Sequence, residues 1–240
     1  YEIVFGDWIS DLCSSDLARI YAVPQEPRLV AKIWHKPTPE RSRKLRVMLS
    51  NPPMDPMAPQ QHASIAWPID LLSAPGRSQA LAGFIMPRVE NMRPVGEFSS
   101  PKVRRTRCPL FNYAYLHRTA RNLATAVRAL HERGYVIGDL NESNVLVAET
   151  ALVTIVDTDS FQVWDAEAGV MYRCRVGKPE YTPPELQGKS FAQVDRESVH
   201  DRFGLGVLIF QLLMEGTHPF AGVFRRSEER RVGKECRSRW

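Results

Sequence analysis

Cysteine is scarce in this chain, with four in 240 residues, at positions 13, 108, 174 and 236. Cys13 and Cys236 fall in terminal segments of unusual character, and the remaining pair has no metal-ligand spacing. That scarcity argues for a reducing, cytoplasmic compartment over a disulfide framework. Long apolar runs are also missing. The longest, residues 203–214, is interrupted by Gln211 and is shorter than the roughly 18 residues that a membrane span requires, so no membrane partner is expected. No internal repeat or low-complexity tract occurs. Charge of one sign is not strongly in excess either: the net +5 is compatible with an anionic ligand such as a nucleotide, and direct nucleic-acid binding is not expected.

The two ends have neither the periodicity of core elements nor the charge layout of a targeting signal. Tyr1-Glu2-Ile3, Gly6-Asp7-Trp8 and Cys13-Ser14-Ser15-Asp16-Leu17 resemble a sequencing-library adapter translated in frame, and residues 226–240 resemble the opposite adapter. The alternative for such a segment is a charged disordered tail. On the adapter reading, residues 1–17 and 226–240 are artefactual. Residues 18–225 are then an insert cut at both ends, with 26 bases against 20 acids, long enough for a two-lobed domain.

Within that insert, Leu29, Ala31 and Ile33 alternate with Val30, Lys32 and Trp34, which predicts a strand with Lys32 on an apolar face. Two readings are open for this lysine: an edge residue reaching to water, or a cation aimed into a cleft to meet phosphate. Thr38-Pro39-Glu40 opens a helix, with a capping hydroxyl, a proline at the first helical position and an acid at the positive dipole end. It should stop before Asn51-Pro52-Pro53. Residues 51–61 read as a loop, and residues 64–72 and 81–89 as an antiparallel strand pair around Ala74-Pro75-Gly76-Arg77. After Met86 the chain turns polar at Pro87 and Arg88, a candidate hinge. Residues 102–107 (KVRRTR) read as a solvated basic loop or, alternatively, an anion-binding patch. A helical stripe runs through Leu116, Ala120, Leu123, Val127 and Leu130 to a stop at Gly134. Residues 203–214 are apolar nearly all round, which predicts a helix buried at the centre of a helical lobe.

The most specific feature is a pair of aspartates. Asp139 lies in Ile137-Gly138-Asp139-Leu140-Asn141-Glu142-Ser143-Asn144, and Asp157 follows the apolar run 152–156. Phosphoryl transfer to a hydroxyl needs a carboxylate to orient the hydroxyl and accept its proton. It also needs separate oxygen ligands to hold magnesium against the phosphates. Asp139, Asn144 and Asp157 supply that set in the right order, although the same residue types also serve as turn and helix caps.

Together these segments resemble the protein kinase fold, over essentially the whole insert. The resemblance implies an α+β, two-lobed architecture. The small β-rich N-lobe would occupy residues 18–90, truncated before its Gly-rich loop, and the larger helical C-lobe residues 91–225, truncated after its central helix. It implies that Lys32 binds the phosphates of ATP, that Met86, Pro87, Arg88 and Val89 form the gatekeeper and hinge, and that Asp139 is the catalytic base. Asn144 and Asp157 would carry Mg2+. Residues 177–185 resemble the end of the activation segment, and Asp201 resembles the aspartate that braces the catalytic loop. The finer resemblance is to a bacterial Ser/Thr kinase-like group.

Departures from the family pattern are equally specific. Ile137-Gly138 replace the usual His-Arg, which puts control by loop phosphorylation in doubt. Thr158-Asp159 replace Phe-Gly, so the backbone after Asp157 is less free to flip. Asn141 stands where a lysine usually contacts the transferring phosphate. Lys178 is a candidate catalytic replacement for that cation, or else a solvent-facing lysine. Glu40, the only acid in its helix, either pairs with Lys32 or complements the dipole. The implied activity is ATP- and Mg2+-dependent transfer to Ser/Thr of protein substrates. The alternatives are a small-molecule phosphotransferase of the aminoglycoside or choline kinase kind, since Gly138-Asp139 suits it, and a pseudokinase binding module.

Overall fold

In the computed structural model the described residues are 11–14, 17–74 and 77–222. The adapter-like ends and the turn residues Pro75 and Gly76 therefore lie outside them, except for the first strand and Leu17. Apolar alternation builds one antiparallel sheet from β1 (Asp11–Ser14), β2 (Ala18–Ala22), β3 (Leu29–Trp34), β4 (Asp70–Ala74) and β5 (Arg77–Pro87), in the spatial order β1-β2-β3-β5-β4. On one face Ala31 packs with Val23, Leu72 and Ile85 in a small satellite core. The opposite face carries Trp34 and Phe84 into the main core, and Lys32 shares it.

The helix α1 (Pro39–Ser50) covers that second face. It starts as its sequence dictates, with the Thr38 hydroxyl accepting from the Arg41 amide at 3.2 Å and Pro39 in the first turn. Leu45 and Met48 are buried, and the Trp67 indole donates to the Met48 carbonyl at 3.3 Å. The loop after it holds only a short 3-10 turn, Ala58–Gln60.

The expected strand over residues 64–72 is split. Only its last residues join β4, because Pro68 has no amide to donate to a ladder. Its first residues turn instead to the distant β8 (Val153–Ile155): Ile155 donates to the Ser64 carbonyl and Ala66 to the Ile155 carbonyl, both at 2.9 Å. This bridge ties the small lobe to the strand that delivers Asp157.

The larger lobe contains β6 (Met92–Pro94), α2 (Val95–Ser99), α3 (Pro101–Arg107), α4 (Tyr113–Glu132), β7 (Val145–Ala148), the hairpin β9 (Val163–Asp165) and β10 (Val170–Tyr172), and α5 (Ser198–Leu213). Strands β6, β7 and β8 form a small antiparallel sheet. The predicted stripe of α4 is buried at all five positions, and Gly134 stops the helix region at φ +79°. A single apolar core runs from Trp34 and Phe84 through α4 to Leu208 and Leu212.

Two further expectations are corrected. Residues 102–107 are not a loop but α3, opened by Ser100 and Pro101 and closed by arginines that complement its dipole. The 203–214 helix is buried on one side only. Gly204, Val207, Leu208 and Leu212 are covered, whereas Phe210 and Met214 are exposed among the described residues. Apolarity all round a helix did not here translate into burial all round. Among the described residues no helix is long and apolar enough to cross a membrane.

Candidate active site

The loop that carries Asp139 is anchored by Asp201, nearly fully buried in the first turn of α5. Its carboxylate accepts from the backbone amides of Ile137 and Gly138, both at 2.8 Å, and from His131 Nε2 at 2.9 Å. A buried carboxylate is tolerated there because its oxygens are occupied by donors. Gly138 sits at φ +75°, and a Cβ on it would collide with Cys174. That explains why no side chain stands immediately before Asp139.

Asp139 itself is gripped by amides. Asn141 Nδ2 donates to Oδ1 at 2.7 Å, and Asn144 Nδ2 donates to Oδ2 at 3.2 Å. Both also reach the Asp139 carbonyl, at 3.1 and 3.0 Å. The Val156 amide donates to the Asn144 carbonyl at 3.0 Å, which fixes the loop against the chain entering Asp157. Asp157 takes a left-handed conformation at φ +58°, and a 3-10 turn, Thr158–Ser160, follows it. The Thr158 hydroxyl donates to the Ala66 carbonyl at 2.9 Å.

Lys32 reaches across the lobe boundary to two carboxylates, Asp157 at 2.6 Å and Asp159 at 2.5 Å. Asp159 also accepts from the Trp34 indole at 3.2 Å, and its carbonyl accepts from Lys44 Nζ at 2.7 Å. Burial alone would lower the Lys32 ammonium, but Asp159 and Asp157 outweigh it and hold its pKa above the ordinary value. Burial likewise opposes ionisation of Asp159, and the Lys32 charge and hydrogen bond overcome it, leaving the carboxyl below its usual range. Lys44 is pushed down to about 8 by burial, despite the nearby Asp159.

Of the sequence-predicted residues, the structure brings together Lys32 with Asp157, and Asp139 with Asn144. Glu40 does not join them. It lies exposed and ion-pairs with Arg175 at 2.8 Å, so the pairing with Lys32 is corrected, and Asp159 is the second acid that Lys32 meets. Lys178 is partly exposed and bonds Glu142 at 2.7 Å and Ser143 at 2.9 Å, without contact to Asp139. Met86 packs partly buried against the core, and Pro87 ends β5 opposite Leu29. Arg88 donates its amide to the Arg28 carbonyl at 2.8 Å and pairs with Glu90 at 2.6 Å, and Val89 is half-buried.

Three residues take positions at the site that the sequence pattern does not display. Lys44 stands with Ser42, Leu45 and Met48 on the buried side of α1, and its place among those positions is the only sequence signal of its burial. Asp159 was noted only as a replacement for glycine. Arg196 lies in an aperiodic stretch, and its buried position has no local sequence signal.

The protein kinase domain family profile matches residues 93–238. Protein kinase YegI of Escherichia coli, in strains O157:H7 and K12, is 36 % identical over 206 residues, covering 85 % of this chain and 31 % of the relative. The probable cAMP-dependent protein kinase catalytic subunit of Encephalitozoon cuniculi is 31 % identical over 114 residues, covering 48 % of this chain and 33 % of that protein. The chain thus spans about a third of the length of these relatives.

Proposed function

The chain belongs to the protein kinase domain family, and from that premise we propose that it is an ATP-dependent kinase acting on Ser or Thr hydroxyls of protein substrates. The observation that carries the reading is Asp139, a carboxylate gripped by two neutral amides on a loop whose backbone is pinned by Asp201. Asp139 orients the substrate hydroxyl and takes its proton as that oxygen bonds to the γ-phosphorus of ATP and the bond from phosphorus to the β,γ-bridging oxygen breaks, releasing ADP. Asn141 and Asn144 keep the carboxylate in one orientation without placing a cation on it.

The chemistry of the donor set fits ATP and magnesium. Mg2+ takes one or two carboxylates and completes its shell with water and phosphate oxygens, so a cage of three or more acids is unnecessary, and among the described residues none occurs. Asp157, with its side chain 41 % exposed, and the amide oxygen of Asn144 would hold the ion. When bound, ATP supplies the phosphoryl group and Mg2+ neutralises charge on its oxygens. Lys32 offers its ammonium to those phosphates. Asp159 remains as its second partner, so the bond to Asp157 can be exchanged without stranding a buried cation.

A protein substrate is supported by the segment after Lys178. The Tyr181 hydroxyl donates to Gln211 Oε1 on α5 at 2.9 Å and the Thr182 hydroxyl to the Lys178 carbonyl at 2.8 Å, which gives a docked platform beside the loop. The two free buried thiols, Cys108 and Cys174, accord with a cytoplasmic setting. Transfer of labelled γ-phosphate tests the proposal, with phosphoamino-acid analysis of acceptor proteins. Label on Ser or Thr that disappears in Asp139→Asn is expected. Label appearing only on small hydroxyl compounds, or Mg-ATP binding with no transfer, overturns it in favour of a small-molecule phosphotransferase or a binding module.

A further inference from the structure

Arg196 lies between the platform and α5 and is 5 % exposed. Its guanidinium touches two segments at once. Nη1 donates to the Gly138 carbonyl, while Nη2 donates to the Cys174 carbonyl at 2.6 Å and the Val176 carbonyl at 2.5 Å. The Phe191 ring stacks on it at 4.0 Å. Its own backbone is locked by Gln162, whose side chain donates to the Arg196 carbonyl at 2.7 Å and accepts from the Arg196 amide at 2.8 Å.

Two consequences follow from these contacts. The residue preceding Asp139 is held through both of its peptide units, since the Gly138 amide goes to Asp201 and the Gly138 carbonyl goes to Arg196. Arginine also cannot shed its charge, and among the described residues no carboxylate lies within ion-pair distance of it, so three carbonyl dipoles and the Phe191 ring face solvate the cation. Displacing residues 174–176 would leave a buried guanidinium short of partners, which links the position of that segment to the position of the base.

We propose that Arg196 is a positioning residue for the phosphotransfer reaction, coupling residues 174–176 of the activation segment to the peptide that precedes Asp139. The coupling uses backbone carbonyls and requires no phosphoryl group. It rests on the kinase reading for its catalytic consequence, but its structural half is measurable without turnover. In Arg196→Met, hydrogen exchange should rise at the amides of residues 138–139 and 174–178 while the β3 amides keep their protection. A kcat lower by about 10- to 100-fold should accompany a KM for ATP changed by less than about 2-fold, the pattern of a misplaced reacting group. Arg196→Lys, which keeps the charge but loses the fork that spans two segments, should show the same exchange change at 174–178 in weaker form. Unchanged exchange in both segments overturns the coupling even if the protein transfers no phosphate, and a kcat equal to wild type in Arg196→Met overturns the positioning role. Circular dichroism of each variant separates these outcomes from global unfolding, and if Arg196→Met does not fold, Arg196→Lys with wild-type exchange overturns the proposal.

Discussion

The loop that carries Asp139 and the segment after β8 hold their carboxylates by opposite means. Around Asp139 the contacts are neutral amides, and the loop's backbone is pinned by a single buried acid, Asp201. Around Asp159 the contacts include two cations, Lys32 at the carboxylate and Lys44 at the Asp159 backbone carbonyl, beside the neutral Trp34 indole. The difference suits the roles proposed above for the two regions. A base must be aimed while remaining able to receive a proton, and amide donors aim it without neutralising it. A phosphate-binding lysine must stay charged in a buried place, and nearby carboxylates keep it so.

The comparison breaks first at the base. Asp139→Asn should lower kcat by roughly 10²- to 10⁴-fold while nucleotide affinity stays near wild type, measured by labelled transfer alongside ATP titration. Equal loss of affinity and turnover would mean that the loop, not the proton, had been removed. Next comes the charged cluster. Asp159→Asn should cost about 3 kcal/mol in denaturant unfolding, the low end for breaking a buried pair, because Lys32 keeps Asp157. Adding Lys44→Met should restore more than about 1 kcal/mol of that loss, since the two sites share one interaction.

The pH dependence sharpens the contrast further. Lys44 titrates at about 8 when folded and at 10.5 ordinarily, so above pH 8 the unfolded chain binds more protons through this group. Its contribution is therefore a penalty below pH 8 that is relieved as pH rises toward 10.5. Relative to Lys44→Met, wild-type stability should climb by at most about 1.4 kcal/mol per pH unit in that window. A flat difference between the two proteins from pH 8 to 9 would contradict the buried cation. The smallest effect belongs to the exposed pair Glu40–Arg175. Glu40→Ala should change stability by less than about 1 kcal/mol and leave turnover intact, whereas a loss comparable with that of Asp159→Asn would restore Glu40 as the partner of Lys32.

Much of the site was legible because its chemistry is local. Asp139 with Asn144 lies within one loop, Asp157 follows an apolar strand, and the Thr38 cap precedes its own helix. The partner of Lys32 was not legible. Charge composition identifies acids and bases but not which of them meet across the lobe boundary, and Glu40 is the only acid that α1 offers. The fold instead placed a lysine on the buried side of that helix and drew the acid from 127 residues away. Residues 64–72 misled for a related reason. Their apolar content was read correctly, but their first residues pair with β8 rather than with β4's neighbour, and no periodicity distinguishes one sheet from another. Arg196 left no trace in pattern at all, because its value lies in three carbonyls supplied by two other segments.

Trp34 has a further use that has nothing to do with turnover. Its indole is 5 % exposed, packs against Phe84 at 6.0 Å and donates to the Asp159 carboxylate at 3.2 Å. An indole hydrogen-bonded to a charged group and shielded from water is an optical reporter of that group, so Trp34 emission gives the kinase cleft a built-in fluorophore through which rearrangement of the lysine cluster can be followed in real time.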